Sequence, residues 1–400
     1  MIGAFIRVAS AFIVCAALSS AWGQGEFELK FEEFKDGSHS LAGVGRQWVG
    51  RARQKPPQLK GLPDGLSDKV GYFVARPGGQ EVLIAVEPSD PAKLLVDTDL
   101  DNDLSDEKPL VGTMAVRVYD FGVVSVKGGN PSGESGKRFT LQAYVQRGTV
   151  HYLYMGPAGS CAGEVTLGKE TYRVAVLDVD LDGRYDRALS MPIDRSRRVP
   201  SDFFAIDFNG NGQFESPARE IMPLPEMIRV NDSYFGVEIE PDGSAIRVEK
   251  ITPRFGTLQV TGASVRLNIS SCMGLLQLGG SDGRWQLPVG GYMLGSLQLG
   301  AKDEDAVEWM LPSLRMPAEL QQFEIREDET TSLEIGPPLI LATKVTNRGK
   351  AVSIGVTLTG QAGERYLPGA TKGKKRLGAP TLKVLDEKGN ELASGSFRYG

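Results

Sequence analysis

The stretch Tyr172-Arg-Val-Ala-Val-Leu-Asp-Val-Asp-Leu-Asp-Gly-Arg-Tyr-Asp186 joins an apolar run directly to an acidic loop. The apolar run is rich in β-branched residues, which predicts a buried β-strand. If the loop is numbered from Asp178, side-chain oxygens fall at positions 1, 3, 5 and 9, and Gly183 stands at position 6. The stretch therefore predicts a strand that ends in a tight turn rich in carboxylates.

Two further loops repeat this template. Asp207-Phe-Asn-Gly-Asn-Gly-Gln-Phe-Glu215 follows the apolar Phe203–Ile206, and Asp97-Thr-Asp-Leu-Asp-Asn-Asp-Leu-Ser105 has Asn102 in place of the glycine. The spacing matches the first nine positions of an EF-hand calcium loop, where alternate side chains point at the ion and position 6 takes a sharp turn. Any one loop could be only a turn, but the repetition favours metal binding.

Position 12 departs from the EF-hand pattern, in which a glutamate binds the ion through two oxygens. That position holds Lys108, Leu189 and Ala218 in the three loops. The missing oxygens must come from nearby residues, for which the candidates are Asp106, Asp186 and Glu220. Otherwise the sites keep more water, and we expect affinities of roughly 10⁻⁴ to 10⁻³ M, as in extracellular calcium modules.

The sequence thus predicts three Ca²⁺ sites with ligands from alternate loop positions. The first loop would bind through Asp97, Asp99, Asp101 and Ser105, and through the carbonyl of Asp103. The second would bind through Asp178, Asp180, Asp182 and Asp186, and through the carbonyl of Arg184. The third would bind through Asp207, Asn209, Asn211 and Glu215, and through the carbonyl of Gln213. Bound calcium would offset the repulsion of like charges and contribute folding free energy.

The amino terminus predicts export. Residues 1–7 carry one positive charge, Val8–Leu18 is apolar, and small residues follow up to Gly23. This is the pattern of a signal peptide over residues 1–23, so we expect a secreted, periplasmic or cell-surface protein. No later segment reaches the roughly 20 apolar residues of a transmembrane helix. The net charge of −5 gives no indication of a nucleic-acid partner.

Glycine and proline punctuate short strand patterns along the chain, which predicts an all-β, multi-domain protein. We expect a leader or linker over 24–62 and a β-rich domain with the three calcium loops over 63–254. We expect a small prealbumin-like β-sandwich over 255–336. An immunoglobulin-like β module, incomplete or unusually small, would follow over 337–400. Cys161 and Cys272 would be either one disulfide or two free thiols.

The segment Gly283-Arg-Trp-Gln-Leu-Pro-Val-Gly-Gly-Tyr292 resembles a strand of prealbumin-like modules, also called carboxypeptidase-regulatory-like modules, although an ordinary hairpin would read the same. The acidic loops are similar to those of dockerins and thrombospondin type 3 repeats. Dockerin loops are each followed by a helix, whereas Pro192 and Pro200 interrupt this chain, so cohesin binding is not implied. As a whole the chain is similar to exported bacterial β-proteins with such loops.

No catalytic residue is predicted. The chain has only two histidines, His39 and His151, and it lacks the H-E-x-x-H and G-x-S-x-G motifs. We therefore favour a non-enzymatic structural, adhesion or accessory role at the cell surface, with a protein or carbohydrate partner. The alternatives are a secreted hydrolase with structural calcium and a carbohydrate-binding module that uses Trp48, Trp285 and Trp309.

Overall fold

The structure is a computed structural model of the chain. It describes residues 25–34, 41, 43–115, 118–127, 137–193, 201–215, 220–260, 264–280, 282–349, 351–367 and 369–397. The expected signal peptide and His39 lie outside these residues. Within them the fold is all-β and multi-domain, as predicted, with one 3₁₀ turn at Pro77–Gly79 and one short helix, α1, at Ala318–Gln321. No helix of the described residues is long and apolar enough to cross a membrane.

The described residues before 252 form eighteen strands: β1 (Gly25–Glu28), β2 (Lys30–Glu33), β3 (Gln47–Gly50), β4 (Gly71–Ala75), β5 (Val82–Glu87), β6 (Lys93–Val96), β7 (Leu110–Val111), β8 (Thr113–Ala115), β9 (Val118–Val126), β10 (Lys137–Gln146), β11 (Thr149–Pro157), β12 (Gly159–Leu167), β13 (Glu170–Leu177), β14 (Phe203–Ile206), β15 (Ile221–Pro223), β16 (Met227–Val230), β17 (Ser233–Ile239) and β18 (Ala245–Ile251).

Eight strands follow in the next region: β19 (Phe255–Val260), β20 (Ser264–Ser271), β21 (Gly274–Gly280), β22 (Arg284–Pro288), β23 (Gly290–Lys302), β24 (Glu308–Arg315), β25 (Gln322–Ile325) and β26 (Thr330–Leu333). The carboxyl-terminal region adds β27 (Ile340–Arg348), β28 (Ala351–Thr359), β29 (Arg365–Tyr366), β30 (Thr371–Lys372), β31 (Lys375–Arg376), β32 (Thr381–Leu385) and β33 (Glu391–Ser396).

The first sandwich packs the sheet β4-β5-β6-β7 against the sheet β3-β11-β10-β9-β8. Alternate residues of each strand face the shared core, as Leu141 and Ala143 do on β10 and Leu153 does on β11. A second apolar cluster, which includes Leu59 and Leu104, covers the other face of the β4-β7 sheet. That sheet is therefore buried on both faces.

The second sandwich packs the sheet β1-β18-β17-β16 against the sheet β15-β14-β13-β12-β2. Val174 and Val176 of β13 face this core, while Ala175 and Leu177 face a smaller cluster around Phe214 on the other side. Burial on both faces explains why the end of β13 is continuously apolar. Strand β13 pairs antiparallel with β14, and both lead into acidic loops.

The segment 24–62 was expected as a leader or linker, and the structure instead finds three strands in it. Strand β1 pairs with β18, β2 with β12, and β3 with β11. The alternation of Phe27, Leu29 and Phe31 with charged residues is a strand pattern that accounts for β1 and β2. The remainder of the segment lacks strands after residue 51 and places Leu59 against the β4-β7 sheet.

The third region packs the sheet β22-β19-β26 against a ten-stranded sheet whose main path is β21-β20-β23-β24-β29-β28-β27. Strand β24 pairs with β29, so this sheet crosses the expected module boundary between 336 and 337. Tyr366 is buried in the core of the preceding residues, and the buried carboxylate of Glu364 accepts a hydrogen bond from the Gly336 amide at 2.5 Å. Strands β27 to β31 therefore belong to the same ten-stranded sheet as strands before residue 337, whereas β32 and β33 form a separate two-stranded sheet.

The segment that resembles a prealbumin-like strand forms β22 and the start of β23. Tyr292 is buried, and its hydroxyl donates a hydrogen bond to the Pro288 carbonyl at 2.7 Å. The aromatic ring stacks on Phe323 with a centroid separation of 5.6 Å. Tyr292 therefore pins the turn between the two strands from inside the core.

Candidate metal centre

Each acidic loop begins where a buried strand ends. Strands β6, β13 and β14 are followed directly by Asp97, Asp178 and Asp207, which are 1%, 8% and 4% exposed. A carboxylate at so buried a position needs hydrogen-bond donors or a cation to offset its lost hydration. The strands thus hold the first oxygen donor of each loop at the edge of a core.

The position-1 carboxylates obtain their donors from the backbone of their own loops. Asp97 accepts from the amides of Asp101 and Asn102, both at 3.1 Å. Asp178 accepts from the amides of Asp182 at 3.2 Å and Gly183 at 2.8 Å. Asp207 accepts from the amides of Gly210 and Gly212, both at 2.8 Å. The backbone of each loop is therefore wrapped around its first carboxylate.

The three loops also share their turns. Position 5 accepts from the amide of position 7 in each loop: Asp101 from Asp103 at 2.7 Å, Asp182 from Arg184 at 2.8 Å, and Asn211 from Gln213 at 2.8 Å. Positions 4 and 6 have positive φ in each loop, at Leu100, Asn102, Leu181, Gly183, Gly210 and Gly212. Asparagine and glycine at position 6 suit this conformation. The loops are thus three copies of one backbone structure.

A further carboxylate, from outside the nine loop positions, accepts a hydrogen bond from the backbone amide of position 2 in each loop and so closes the loop. Glu107 accepts from Thr98 at 2.5 Å, and Asp202 accepts from Val179 at 3.2 Å and from Arg187 at 3.0 Å. Glu220 accepts from Phe208 at 3.2 Å and from Glu215 at 2.7 Å. Asp202 and Glu220 are buried. These three carboxylates lie beside the loops, and an oxygen of Asp202 lies within 4.8 Å of oxygens of Asp178 and Asp180.

The three residues predicted to replace the position-12 ligand differ in their contacts with the loops. Glu220 contacts its loop, whereas Asp186 is held by the Arg184 guanidinium at 2.6 Å and Asp106 is exposed. Sequence reasoning missed Glu107 and Asp202, because the closing carboxylates stand at three different distances from their loops. Asp202 directly precedes β14, so an acidic residue at the start of the neighbouring strand was the signal that could have identified it.

Carboxylate oxygens converge in two of the loops. One oxygen each from Asp97, Asp99 and Asp101 lie within 4.8 Å of one another, and so do oxygens from Asp178, Asp180 and Asp202. Two oxygens bound to one Ca²⁺ at roughly 2.4 Å are at most about 4.8 Å apart. Each of the two clusters is therefore compact enough to bind one cation. The third loop combines Asp207 with the amide side chains of Asn209 and Asn211, and so has fewer carboxylates.

The second loop carries the strongest electrostatic signal. Burial raises the pKa of Asp178 to about 7, and burial together with the charge of Asp178 raises the pKa of Asp202 to about 8. One carboxylate oxygen of Asp180 is buried and has no hydrogen-bond partner among the described residues. A bound cation would favour the ionised forms of Asp178 and Asp202 and would give the buried Asp180 oxygen a ligand bond.

Arginine occupies part of this loop. The Arg187 guanidinium forms an ion pair with Asp180 and a second one with Asp182 at 2.6 Å. The side chains of these residues are mostly buried, so both pairs are poorly screened by solvent. Arg187 therefore neutralises two of the predicted calcium ligands in the absence of an ion.

Other predicted ligands contact residues of their own loops or, in one case, a lysine beyond the loop. Ser105 donates its hydroxyl to the Asp103 carboxylate at 2.6 Å, and Asp99 lies 3.8 Å from the Lys127 ammonium. Glu215 accepts from the Asn211 side-chain amide at 2.9 Å and from that of Asn209 at 3.5 Å.

The second loop also joins the two amino-terminal sandwiches. Leu181 packs into the core of the first, while Tyr185 packs against the core of the second. The carbonyls of Asp180 and Val179 accept hydrogen bonds from the Gly78 amide at 2.8 Å and from the Gln47 side chain at 2.6 Å. The conformation of this loop therefore fixes contacts on both sides of the junction.

A cavity of about 380 Å³ lies beside the second loop and is lined in part by Lys137, Cys161, Asp178 and Tyr185. Burial raises the pKa of the Cys161 thiol to about 11, so the thiol stays protonated and is a poor nucleophile. Cys161 and Cys272 are both free thiols.

The three tryptophans named as a possible carbohydrate site lie on different sheets. Trp48 is on β3, Trp285 is on β22 and packs against the third core, and Trp309 is on β24. Trp309 donates its indole N–H to Asp303 at 2.9 Å, and Lys372 lies over its ring. Trp48 alone is strongly exposed, at 53%.

Comparisons with family models, with curated proteins and with solved structures give no match for the chain. Its function is therefore inferred from the geometry of the acidic loops and of the sheets that carry them.

Proposed function

We propose that the chain is an exported, calcium-binding β-protein that is stabilised by the ions and serves a structural, adhesion or accessory role at the cell surface. The observation that carries the proposal is the repeated loop structure. Three loops wrap their backbone amides around a buried position-1 carboxylate and are closed by a further carboxylate. At two of the loops, three carboxylate oxygens lie within 4.8 Å of one another, which is close enough for all three to bind one ion.

Calcium is favoured over other cations by the donors. Carboxylate, amide and carbonyl oxygens are hard ligands, whereas zinc and copper sites in proteins use imidazole or thiolate. Magnesium requires near-octahedral geometry at about 2.0–2.1 Å and retains water, while calcium accepts six to eight oxygens in irregular cages. A wrapped loop with carboxylates at alternate positions supplies many oxygens at flexible angles, which suits calcium.

Stabilisation follows from the position of the sites. The ligands sit at strand ends beside buried cores, and the second loop also joins two sandwiches. An ion that binds the folded chain and not the unfolded chain adds RT ln(1 + [Ca²⁺]/Kd), about 1.4 kcal/mol per site when calcium is at tenfold Kd. A stable, calcium-dependent scaffold suits an extracellular role, where calcium is abundant.

Thermal unfolding tests the proposal. The protein is stripped of metal and its unfolding midpoint is measured with no added ion, with millimolar CaCl₂ and with the same concentration of MgCl₂. We expect calcium to raise the midpoint by several degrees and magnesium to raise it much less. Equal midpoints in all three samples would remove the calcium-binding proposal.

A further inference from the structure

The sheet β3-β11-β10-β9-β8 has one face that points away from the first core and carries aromatic side chains. Val49 and Leu153 pair across β3 and β11 and face the core. Their neighbours Trp48 and Tyr154 also pair with each other and therefore lie on the outer face. Ala143 and Leu153 give the same assignment for β10, which places Tyr144 on the outer face, opposite Tyr152.

Trp48 is the most open of these residues. The six-membered ring of its indole lies over Gly50, where an added Cβ atom would be 3.4 Å from the ring. Gly50 pairs with Tyr152, so the indole lies next to that tyrosine. With 53% of its surface exposed, Trp48 gains little from core burial. An exposed tryptophan held in one place on a sheet surface is typical of a binding site.

Three tyrosines extend the aromatic surface across the neighbouring strands. Tyr144 and Tyr152 stack with a centroid separation of 4.8 Å, and Tyr152 meets Tyr154 edge-on at 5.2 Å. His151 lies 5.6 Å from the Tyr144 ring. All four rings are only partly covered or exposed. Their mutual contacts limit side-chain motion, so little conformational entropy would be lost on binding.

Polar groups border these rings. Gln142 lies next to Tyr144 on the same face of β10, and its side-chain amide donates a hydrogen bond to Asp120 at 2.7 Å. Asp120 also accepts from the Gly122 amide at 2.8 Å, so its charge is satisfied within the sheet. Tyrosine hydroxyls and the Gln142 amide offer both donors and acceptors. The face thus combines flat aromatic rings with neutral hydrogen-bonding groups and with one carboxylate, that of Asp120.

We propose that this outer face, centred on Trp48 and Tyr152, binds a neutral carbohydrate. A sugar ring has an apolar face of C–H groups and a rim of hydroxyls. The indole of Trp48 would stack on the C–H face, while tyrosine hydroxyls and Gln142 would hydrogen-bond to the rim. The binding site does not include the acidic loops, so the proposal is independent of calcium binding.

The charge of the face distinguishes this ligand from other partners. A nucleic acid would require lysines and arginines placed to contact phosphates, whereas the aromatic residues Trp48, Tyr144, Tyr152 and Tyr154 are bordered by Gln142 and by the carboxylate of Asp120, which would repel a phosphate. An extended peptide would pair with the backbone of the edge strand β3, whereas the side chains of Trp48, Tyr152 and Tyr154 lie on the flat face of the sheet. A polyhydroxylated, uncharged ligand matches both the rings and the neutral donors.

Native affinity electrophoresis tests the proposal with defined probes. The calcium-loaded protein is run in gels that contain hydroxyethylcellulose, xyloglucan, galactomannan or arabinoxylan, beside a gel without polysaccharide. We expect at least one polysaccharide to retard the protein, and Trp48→Ala to weaken this association by about tenfold or more. Tyr154→Phe removes one hydroxyl and should weaken it less.

Trp309→Phe is the matched control, because Trp309 lies on β24 in the third region. It should be retarded as the unchanged protein is. The unfolding midpoint of Trp48→Ala should stay near that of the unchanged protein, since Trp48 is exposed. Retardation by none of the four polysaccharides would overturn the proposal, as would equal retardation of Trp48→Ala. A sedimentation coefficient that falls in Trp48→Ala, without polysaccharide binding, would identify an interface between copies and would also overturn it.

Discussion

Asp178 and Asp202 stand opposite each other at the end of an antiparallel strand pair. Leu177 of β13 pairs with Phe203 of β14, and the next positions in this register are the two aspartates. Like charges directly opposite each other destabilise a sheet. Here their oxygens, together with one from Asp180, lie close enough to bind one cation. The register of β13 and β14 therefore brings together carboxylates whose repulsion a bound cation would offset.

Removal of the opposing carboxylate should weaken calcium binding. We expect Asp202→Asn to lower the affinity of the second loop by about tenfold, which reduces the calcium contribution to stability by about 1.4 kcal/mol at saturating ion. Asparagine keeps one oxygen to accept the Val179 amide but leaves the Arg187 amide without its acceptor, so the metal-free free energy of unfolding should also fall, by about 1–3 kcal/mol. The measurement is the difference in unfolding free energy between calcium-loaded and metal-free protein.

Asp186→Asn is the matched control for that variant. Asp186 is also acidic and in the same loop, but both of its oxygens contact the Arg184 guanidinium. Its substitution should leave most of the calcium effect in place. If Asp202→Asn and Asp186→Asn reduced the calcium effect equally, Asp202 would not be the closing ligand of the loop.

The stability of the metal-free protein should fall as pH rises. Burial holds the pKa of Asp178 at about 7 and that of Asp202 at about 8, whereas an unfolded aspartate titrates near 3.9. Between about pH 4 and pH 8 the folded chain keeps protons that the unfolded chain has released. Each retained proton lowers the unfolding free energy by up to about 1.4 kcal/mol per pH unit.

Calcium should remove this loss, because it binds the ionised carboxylates. The gap between the unfolding midpoints of calcium-loaded and metal-free protein should therefore widen from pH 5 to pH 8. Asp202→Asn leaves one of the two groups, so its metal-free stability should fall less steeply over the same range. A gap that is constant or that narrows with rising pH would contradict the assignment of two buried, protonated carboxylates.

The sequence predicted the strands that lead into the loops, and the acidic residues that follow those strands, because both have fixed spacings. Strand β13 is continuously apolar, and Asp178, Asp180 and Asp182 alternate after it. The closing carboxylates follow no fixed spacing. Asp202 reaches its loop only because β13 and β14 pair, and strand pairing is a tertiary property that local patterns do not encode.

The extent of the modules was harder to predict for a similar reason. Strand β24 pairs with β29 far along the chain, and Tyr366 fills a core formed by residues before 336. Composition changes little across that boundary, so nothing in the local pattern marks the shared sheet. Trp48 likewise gains its neighbours Tyr152 and Tyr154 only through the pairing of β3 with β11.

Arg187 should compete with calcium. Its guanidinium pairs with Asp180 and Asp182, two predicted ligands of the second site. We expect Arg187→Gln to destabilise the metal-free protein by about 1–2 kcal/mol, since it leaves two partly buried carboxylates without their partner. The same change should raise the calcium affinity of the second loop severalfold, because calcium no longer has to displace the Arg187 guanidinium from Asp180 and Asp182. Isothermal titration and metal-free unfolding measure the two effects.

Arg184→Gln is the control, since Arg184 pairs with Asp186 and is more exposed than Arg187. It should change metal-free stability by less than about 1 kcal/mol, as is usual for surface ion pairs. Lower calcium affinity in Arg187→Gln would show that the arginine supports the site instead of competing with the ion.

The junction between the first two sandwiches gives the last prediction. Leu181 stands at position 4 of the second loop and is buried in the first core, while Leu100 stands at position 4 of the first loop and only borders that core. Both have positive φ, so Leu→Ala changes carry the same backbone effect. We expect Leu181→Ala to cost about 2–4 kcal/mol and Leu100→Ala clearly less. Leu181 ties the second loop to the first sandwich. Its loss should therefore also separate the unfolding of the two sandwiches into two calorimetric transitions. Calcium should raise both transitions, because each sandwich carries at least one of the loops. Equal destabilisation by the two variants, with one unchanged transition in each, would show that the second loop does not couple the sandwiches.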